Sequence, residues 1–116
     1  MTDFTKIIDE DIAIIKWDCK EKSMNTMSIE GMETFGGLVI DALENKAIKG
    51  IIITSGKKDF SGGMDLSTLE SLKHNTGENP AAGIFDFIMR GHQLLRKIEQ
   101  GKINKDDTPK PVVWAV

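Results

Sequence analysis

The sequence contains one cysteine, two histidines and no excess of positive charge, and each shortage excludes a class of function. Cys19 cannot form an internal disulfide, and a metal site would need it, two distant histidines and scattered carboxylates. Fifteen Lys and Arg against eighteen Asp and Glu give a net charge of −3, so binding to nucleic acid is not expected. We therefore expect a reduced, cytoplasmic protein with no metal centre.

Long apolar runs and targeting features are also missing. The opening MTDFTKIIDEDI has acids where a signal peptide needs a basic segment and then a long apolar one. No other run approaches membrane-spanning length, so we expect a soluble protein that does not insert into a membrane. At 116 residues the chain has the size of one small domain, and we treat residues 1–116 as one unit.

The first half of the chain predicts a strand–strand–helix–strand order. Two β-branched runs, Thr5–Ile8 and Ile12–Trp17, flank an acidic turn and predict a hairpin. Apolar residues recur at helical spacing over Met27–Leu43, where Gly36 and Gly37 indicate close packing against a neighbour. The aliphatic run Gly50–Thr54 predicts a strand that is covered on both faces, joined to the hairpin by a parallel crossover.

The second half predicts two helices and a final strand. The pattern Ser67-Thr68-Leu69-Glu70 has the form of a capping box that starts a short helix, and residues 74–80 form a polar loop. A buried strand is predicted over Val112–Val116, after a charged linker, and such a strand indicates the first part of a larger α/β domain. A longer helix is predicted between the polar loop and the charged linker. Its apolar stripe comprises Ile84 or Phe85, Ile88, Leu95 and Ile98.

The stretch SGKKDFSGGMDLSTLE, at 55–70, follows the Gly50–Thr54 strand with a pair of glycines. Gly62 and Gly63 allow unusual backbone angles and close approach, so the turn is suited to presenting backbone N–H groups to an anion or a polarised oxygen. The nucleotide-binding patterns GxxxxGK[ST] and GxGxxG are absent. From spacing alone, two interpretations stay open: a simple reversal of chain direction before a capped helix, or a ligand loop.

Other reactive residue types have ordinary explanations. Ser61 lacks the GxSxG pattern of a nucleophile elbow and is explained as a turn former. We expect structural or solvated roles for His74 and His92, and Cys19 has no obvious activating partner. A carboxylate such as Asp65 at a helix N-terminus is stabilising there whether or not it takes part in chemistry.

Three motifs together resemble the crotonase superfamily. DFSGGMDL after GIIITSG resembles its F-x-x-G-x-D-[IL] loop, EKSMNTMS at 21–28 is similar to its K-A-L-N-A-L segment, and KPVVWAV at 110–116 is similar to its K-P-V-[IV]-A-A-[VI] strand. The spacing and RGHQLLRKIE are similar to the hydratase module of the multifunctional fatty-acid oxidation α subunit. The resemblance implies an α/β fold, the N-terminal part of a crotonase-like ββα spiral that ends before the second oxyanion-hole loop.

The resemblance also implies a substrate and a set of binding residues. The substrate is an acyl-CoA or enoyl-CoA thioester, and no cofactor is implied. The matching position in the family donates a backbone N–H to the thioester oxygen, and here it is Met64. The residues implied to contact CoA are Lys22 near the phosphates, Ser23 and Met24 near the adenine and pantetheine, and Ser61, Gly63, Asp65 and Leu66 along the loop.

By resemblance, the parent protein is an enoyl-CoA hydratase or isomerase of fatty-acid β-oxidation, oligomeric and associated with a thiolase subunit. The family's second N–H donor and its catalytic glutamates follow the strand that here ends at Val116, so these 116 residues alone are expected to be inactive. Two alternatives stay open. The parent is another crotonase-type enzyme, a thioester hydrolase or dehalogenase, or the chain is a non-catalytic half-domain that binds CoA or a protein through an exposed strand edge.

Overall fold

A four-stranded sheet, in which strands that follow one another in sequence are neighbours, forms the described part of the molecule together with helices packed against it. The computed structural model describes residues 3–20, 22–63, 70 and 80–116. The predicted capping box at 67–70 and the loop at 74–80 lie almost entirely outside these ranges. The strands are β1 (Phe4–Asp9), β2 (Ile12–Trp17), β3 (Gly50–Ser55) and β4 (Val112–Ala115), and the helices are α1 (Ile29–Glu44) and α2 (Pro80–Gln100).

The predicted hairpin is confirmed. Strands β1 and β2 pair antiparallel, with Phe4 opposite Trp17 and Asp9 opposite Ile12. Glu10, between the strands, has a φ of 57°, which a tight reversal of direction requires. The acidic residues of this turn are exposed, as expected for a solvated turn.

The predicted strand–helix–strand unit is also confirmed, since β2 and β3 pair in parallel and α1 connects them. The helix begins at Ile29, two residues later than the start of the predicted segment, because Ser28 caps it. The Ser28 hydroxyl oxygen accepts the N–H of Gly31 at 2.9 Å. The buried face of the helix carries Phe35, Val39, Ala42 and Leu43, which follow the predicted periodicity.

Two of the predictions about strand burial are wrong. In β3, Ile51 and Ile53 are buried but Ile52, on the opposite face, is only half-buried. In β4, which was predicted as a buried strand, Val113 and Trp114 are exposed. Neighbouring side chains along a strand point to opposite faces, and in the described residues the helices pack on one face only. β4 is in addition an edge strand.

Gly36 lies where α1 and α2 pack closely, as predicted. A Cβ on Gly36 would lie 3.4 Å from a Leu94 methyl, and one on Gly91 would lie 3.5 Å from the Met32 methyl. By contrast, Gly37 has open space beside it. Of the adjacent pair Gly36 and Gly37, only Gly36 therefore allows the second helix to approach.

The predicted apolar stripe of α2 is largely wrong. Phe87 and Ile98 are buried, whereas Phe85, Ile88 and Leu95 are exposed. The buried residues lie on a face rotated from the predicted one, because contact with α1 through Gly91 fixes the orientation of the helix. His92, for which we expect a structural or solvated role, is exposed on this helix.

Among the described residues, one apolar cluster lies between the sheet and the helices. No helix in the described ranges is long and apolar enough to cross a membrane. The buried members of the cluster are Phe4, Ala13, Ile15, Trp17, Cys19, Phe35, Val39, Ala42, Leu43, Ile48, Ile51, Ile53 and Ile98.

Candidate functional site

Two of the three segments that carry sequence motifs meet beyond the carboxyl ends of neighbouring strands. Because β2 and β3 are parallel and in register, with Trp17 opposite Ser55, their carboxyl ends lie side by side. The segment containing Lys22 to Thr26 follows β2, and the glycine loop follows β3. Open α/β sheets commonly bind ligands outside the carboxyl ends of their strands.

Backbone hydrogen bonds join these two segments directly. Gly62 donates its N–H to the carbonyl of Asn25 at 2.6 Å, and Met27 donates its N–H to the carbonyl of Gly63 at 2.8 Å. A Cβ on Gly62 would overlap the sulfur of Met24 and lie 3.3 Å from the Asn25 carbonyl oxygen. Glycine at position 62 therefore allows the Met24 side chain and the Asn25 carbonyl to approach the loop closely.

Two of the N–H groups in the glycine loop bond within the chain instead of facing a ligand. Gly62 donates to Asn25, and Gly63 donates to the hydroxyl oxygen of Ser61 at 3.0 Å. Gly63 has a φ of 93°, a conformation that favours glycine. The expectation that the loop presents its N–H groups is therefore wrong for these two. Ser61 acts as a turn serine here.

Asn25 organises this region, and the sequence interpretation did not single it out. Its side chain is completely buried and forms hydrogen bonds to both strand ends and to the loop. Two signals were available in the segment 21–28: a polar amide next to the carboxyl end of a strand, and its match to the asparagine of the K-A-L-N-A-L segment. Burial of that amide follows from the pairing of two distant segments, which sequence periodicity does not report.

An aromatic side chain also anchors the loop. The ring of Phe60 meets the rings of Trp17 and Trp114 edge-on, at centroid separations of 6.0 Å each. Such edge-to-face pairs stabilise by about 0.5–1.5 kcal/mol beyond their buried area. Phe60 thus connects the start of the glycine turn to β2 and β4.

A charged cluster lies beside the site. Lys57 forms a 2.8 Å ion pair with Asp18, directly after β2, and Lys20 lies 3.8 Å from the same carboxylate. The hydrogen bond from Lys57 lowers the pKa of Asp18, and the charges of Lys20 and Lys16 act in the same direction. One carboxylate is thus surrounded by three lysines, a local excess of positive charge in an acidic chain.

The remaining predicted residues divide into described and undescribed ones. Ser23, Met24 and Ser61 are exposed beside the loop, and Lys22 is exposed with its ammonium donating to Thr26 at 3.1 Å. Met64, Asp65, Leu66 and His74 lie outside the described residues. Within the described part of the chain, no group of three or more His, Cys, Asp or Glu side chains could hold a metal ion.

An apolar groove lies elsewhere, between α1 and α2. It has a volume of about 300 Å³ and includes Met32, Gly37, Phe87 and Leu94 in its lining. The loop site at the carboxyl ends of β2 and β3 is in contrast an open surface. A ligand bound there would contact the loop backbone and the exposed side chains beside it.

Comparison with known proteins supports the motif assignment. No family model matches the chain. It is 28% identical over 109 residues to the fatty acid oxidation complex subunit alpha of Shewanella halifaxensis, covering 93% of this chain and 14% of that protein. It is 28% identical over 97 residues to the corresponding subunit of Acinetobacter baumannii, covering 81% and 13%. The chain therefore spans about a seventh of these curated relatives.

Solved structures show the same fold. A Legionella pneumophila protein named as an enoyl-CoA hydratase/isomerase (crotonase) matches with a TM-score of 0.77 at 18% identity, over 98% of this chain and 39% of that one. An enoyl-CoA hydratase from Shewanella pealeana also matches at 0.77, with 12% identity, over 97% and 38%. A Geobacillus kaustophilus enoyl-CoA hydratase matches at 0.75, with 21% identity, over 98% and 38%. The predicted crotonase-like fold is confirmed.

Proposed function

We propose that this chain is the CoA-binding part of an enoyl-CoA hydratase or isomerase that acts in fatty-acid oxidation. The observation that carries the proposal is the pairing of the Asn25 segment with the glycine loop through Gly62 and Gly63. These are two of the segments whose sequences resemble the crotonases, and they meet at a ligand-binding edge of the sheet. The names of the relatives, a fatty acid oxidation complex subunit alpha and an enoyl-CoA hydratase, support the same assignment.

The chemistry requires a donor for the thioester oxygen. Negative charge develops on that oxygen as water adds to the conjugated double bond, and a preorganised N–H stabilises it by about 3 kcal/mol. We assign this role to the N–H of Met64, the position that the resemblance matches to the family's donor. The N–H groups of the preceding Gly62 and Gly63 donate within the chain. Ser61, Gly63, Asp65 and Leu66 would then lie along the CoA.

The charge near the loop suits a phosphorylated ligand. CoA carries several negative charges, and Lys22 is exposed beside the loop. Lys16, Lys20 and Lys57 outnumber the Asp18 carboxylate that they surround. We assign Lys22 to the CoA phosphates, and Ser23 and Met24 to contacts with the adenine and pantetheine.

Catalysis needs more than this half of the site. In the family that the chain resembles, the second N–H donor and the acid–base glutamates come after the strand matched here by β4. We therefore propose that residues 1–116 alone bind CoA but do not hydrate enoyl-CoA at a useful rate. Oligomerisation and association with a thiolase subunit are part of the same proposal for the parent protein.

Nuclear magnetic resonance (NMR) of the ¹⁵N-labelled chain with CoA and crotonyl-CoA tests the proposal. We expect shifts of the backbone signals of 22–24 and 61–66, and no shifts around Gly101, which lies at the end of α2. Lys22→Gln should weaken binding by about three- to tenfold through loss of a charge-assisted contact. Lys105→Gln, a matched change in the exposed linker, should leave binding unchanged. Absence of shifts in the loop would refute CoA binding.

A protein-binding role is the second candidate, and the exposure of β4 favours it. Val113 is 55% exposed and Trp114 is 40% exposed on an edge strand. Such an edge can pair with a strand from a partner. The same NMR spectra distinguish CoA binding from protein binding. Addition of a partner strand shifts the β4 signals in the absence of CoA, and the shift depends on the partner's concentration. The thioester hydrolase and dehalogenase alternatives would instead share the loop shifts and differ in the substrate turned over by the parent.

A further inference from the structure

The side chain of Asn25 uses all of its polar atoms inside the protein. Its Oδ1 accepts the N–H of Cys19 at 3.0 Å. Its Nδ2 lies 3.0 Å from the Trp17 carbonyl oxygen, 2.9 Å from the Ser55 hydroxyl oxygen and 3.0 Å from the Phe60 carbonyl oxygen. The side chain is completely buried, so water does not replace these partners.

The partners of Asn25 belong to separate parts of the chain. Trp17 ends β2, Ser55 ends β3, and Phe60 begins the glycine turn. In addition, the main-chain carbonyl of Asn25 holds the N–H of Gly62 at 2.6 Å. One residue therefore fixes the loop on both sides of Ser61 and ties it to both strand ends.

An asparagine is needed for this set of bonds. The Nδ2 group donates to oxygens only, and Oδ1 accepts from an N–H, which is the division that an amide provides. An ionised aspartate has the same size and keeps the acceptor, but it cannot donate to the Phe60 and Trp17 carbonyls. The substitution Asn25→Asp is therefore a probe of the donated bonds with little change in volume.

We propose that Asn25 is a positioning residue that fixes the direction of the loop backbone from Phe60 through Gly63. Through that backbone it aligns the following N–H, that of Met64, with the thioester oxygen of the substrate. The alignment of Met64 rests on the proposed function, whereas the fixing of the loop does not depend on it.

Amide hydrogen exchange on the 116-residue chain tests the first part. We expect Asn25→Asp at neutral pH to accelerate exchange at Gly62 and Gly63 by about tenfold or more relative to core amides such as those of Ile15 and Ile53. The control is Val39→Ala, a completely buried residue of α1, which should lower protection throughout the chain without a preference for the loop. Equal acceleration at the loop and at the core in Asn25→Asp would overturn the proposal.

A milder variant covers the case in which Asn25→Asp fails to fold. Ser55→Ala removes one acceptor of the Asn25 amide and leaves the other three partners of that amide in place. It also removes the bonds of the Ser55 hydroxyl to the Lys57 N–H and the Asp59 carbonyl, so the acceleration at Gly62 and Gly63, and not that at 57–59, is the readout. It should accelerate loop exchange selectively by about threefold. If amide exchange at Gly62 and Gly63 is unchanged in Ser55→Ala, the positioning role is contradicted.

The carbonyl signal of bound [1-¹³C]crotonyl-CoA tests the second part. A positioned donor polarises the thioester and shifts this signal downfield in the unsubstituted protein, and Asn25→Asp should abolish the shift. Both proteins are measured at crotonyl-CoA concentrations that saturate them, so that the signal reports polarisation of the bound thioester and not a change in affinity. If the exchange result holds but crotonyl-CoA does not bind the unsubstituted protein, the loop-fixing role stands and the proposed function fails. A carbonyl shift retained in Asn25→Asp would overturn the alignment.

Discussion

Gly101 and Lys110 are in direct backbone contact, which joins the end of α2 to the start of β4. Lys110 donates its N–H to the carbonyl of Gly101 at 2.8 Å, and a Cβ on Gly101 would lie 3.0 Å from that nitrogen and overlap the Lys110 carbonyl oxygen. Gly101 has a φ of 68° and donates to the Lys97 carbonyl at 2.9 Å, the arrangement of a glycine that ends a helix.

Replacement of this glycine should be strongly destabilising. Gly101→Ala places a methyl group against the backbone of Lys110 and forces a left-handed conformation on alanine, which alone costs about 1–2 kcal/mol. We expect a total loss of more than about 2 kcal/mol in the free energy of unfolding, measured by urea denaturation.

Gly37→Ala is the matched control. Gly37 lies inside α1 with no atom within 4 Å of the added Cβ. The same substitution should there stabilise the protein by about 0.5–1 kcal/mol, because alanine favours a helix interior. Equal effects at the two glycines would contradict the role of the Gly101–Lys110 contact.

The fold was predictable where local pattern decides structure. The hairpin combines two β-branched runs with an acidic turn, and α1 has a regular apolar face, so both follow from local sequence patterns. The parallel pairing of β2 and β3 follows from the helix between them. These elements need no information from distant parts of the chain.

The errors come from contacts between distant segments. The orientation of α2 depends on Gly91 packing against Met32, and the stripe of larger apolar residues in its sequence gave no sign of this. The burial of Asn25 depends on a loop 35 residues away in sequence, at Phe60. The internal use of the Gly62 and Gly63 N–H groups depends on Asn25 and on the local turn made by Ser61.

Burial in the sheet should produce a large difference between two isoleucines. Ile53 is 1% exposed between the sheet and the helices, whereas Ile7, in the same sheet, is 56% exposed. Ile53→Ala should lower the free energy of unfolding by about 2–5 kcal/mol, because it removes buried methyl groups and leaves a cavity. Ile7→Ala should lower it by less than about 1 kcal/mol, since its side chain loses little contact. Similar losses in thermal or urea unfolding would show that the outer face of β1 is also covered in solution.

The ion pair beside the loop should make stability depend on pH. The hydrogen bond from Lys57 lowers the pKa of Asp18 below its ordinary 3.8, so the folded protein keeps this carboxylate ionised at lower pH than the unfolded chain does. The pair therefore stabilises the fold above the unfolded pKa, about 3.9, and the stabilisation is lost as pH falls through the lower folded value.

Asp18→Asn tests this dependence. Its urea midpoint should lie below that of the unsubstituted protein by a constant amount from about pH 7 to pH 5, and the gap should narrow below about pH 4. In a Lys57→Met background the same substitution should have a smaller effect, because the partner is already missing. A gap that stays constant down to about pH 3 would mean that Asp18 contributes through packing and not through its charge.

The side chain of Lys110 donates hydrogen bonds to the end of α1, whereas its backbone contacts the end of α2. Its ammonium donates to the carbonyl of Ala42 at 2.9 Å and to that of Asn45 at 2.6 Å, where the helix leaves carbonyls without internal partners. Burial lowers the pKa of Lys110, so desolvation of the charge offsets part of this gain. Lys110→Met should therefore lower the free energy of unfolding by about 1–2 kcal/mol, and hydrogen exchange in the last turn of α1 should accelerate more than in β2. Lys105→Met, in the exposed linker, should change stability by less than about 0.5 kcal/mol. If hydrogen exchange in the last turn of α1 is unchanged in Lys110→Met, Asn45 and its neighbours end the helix without help from Lys110.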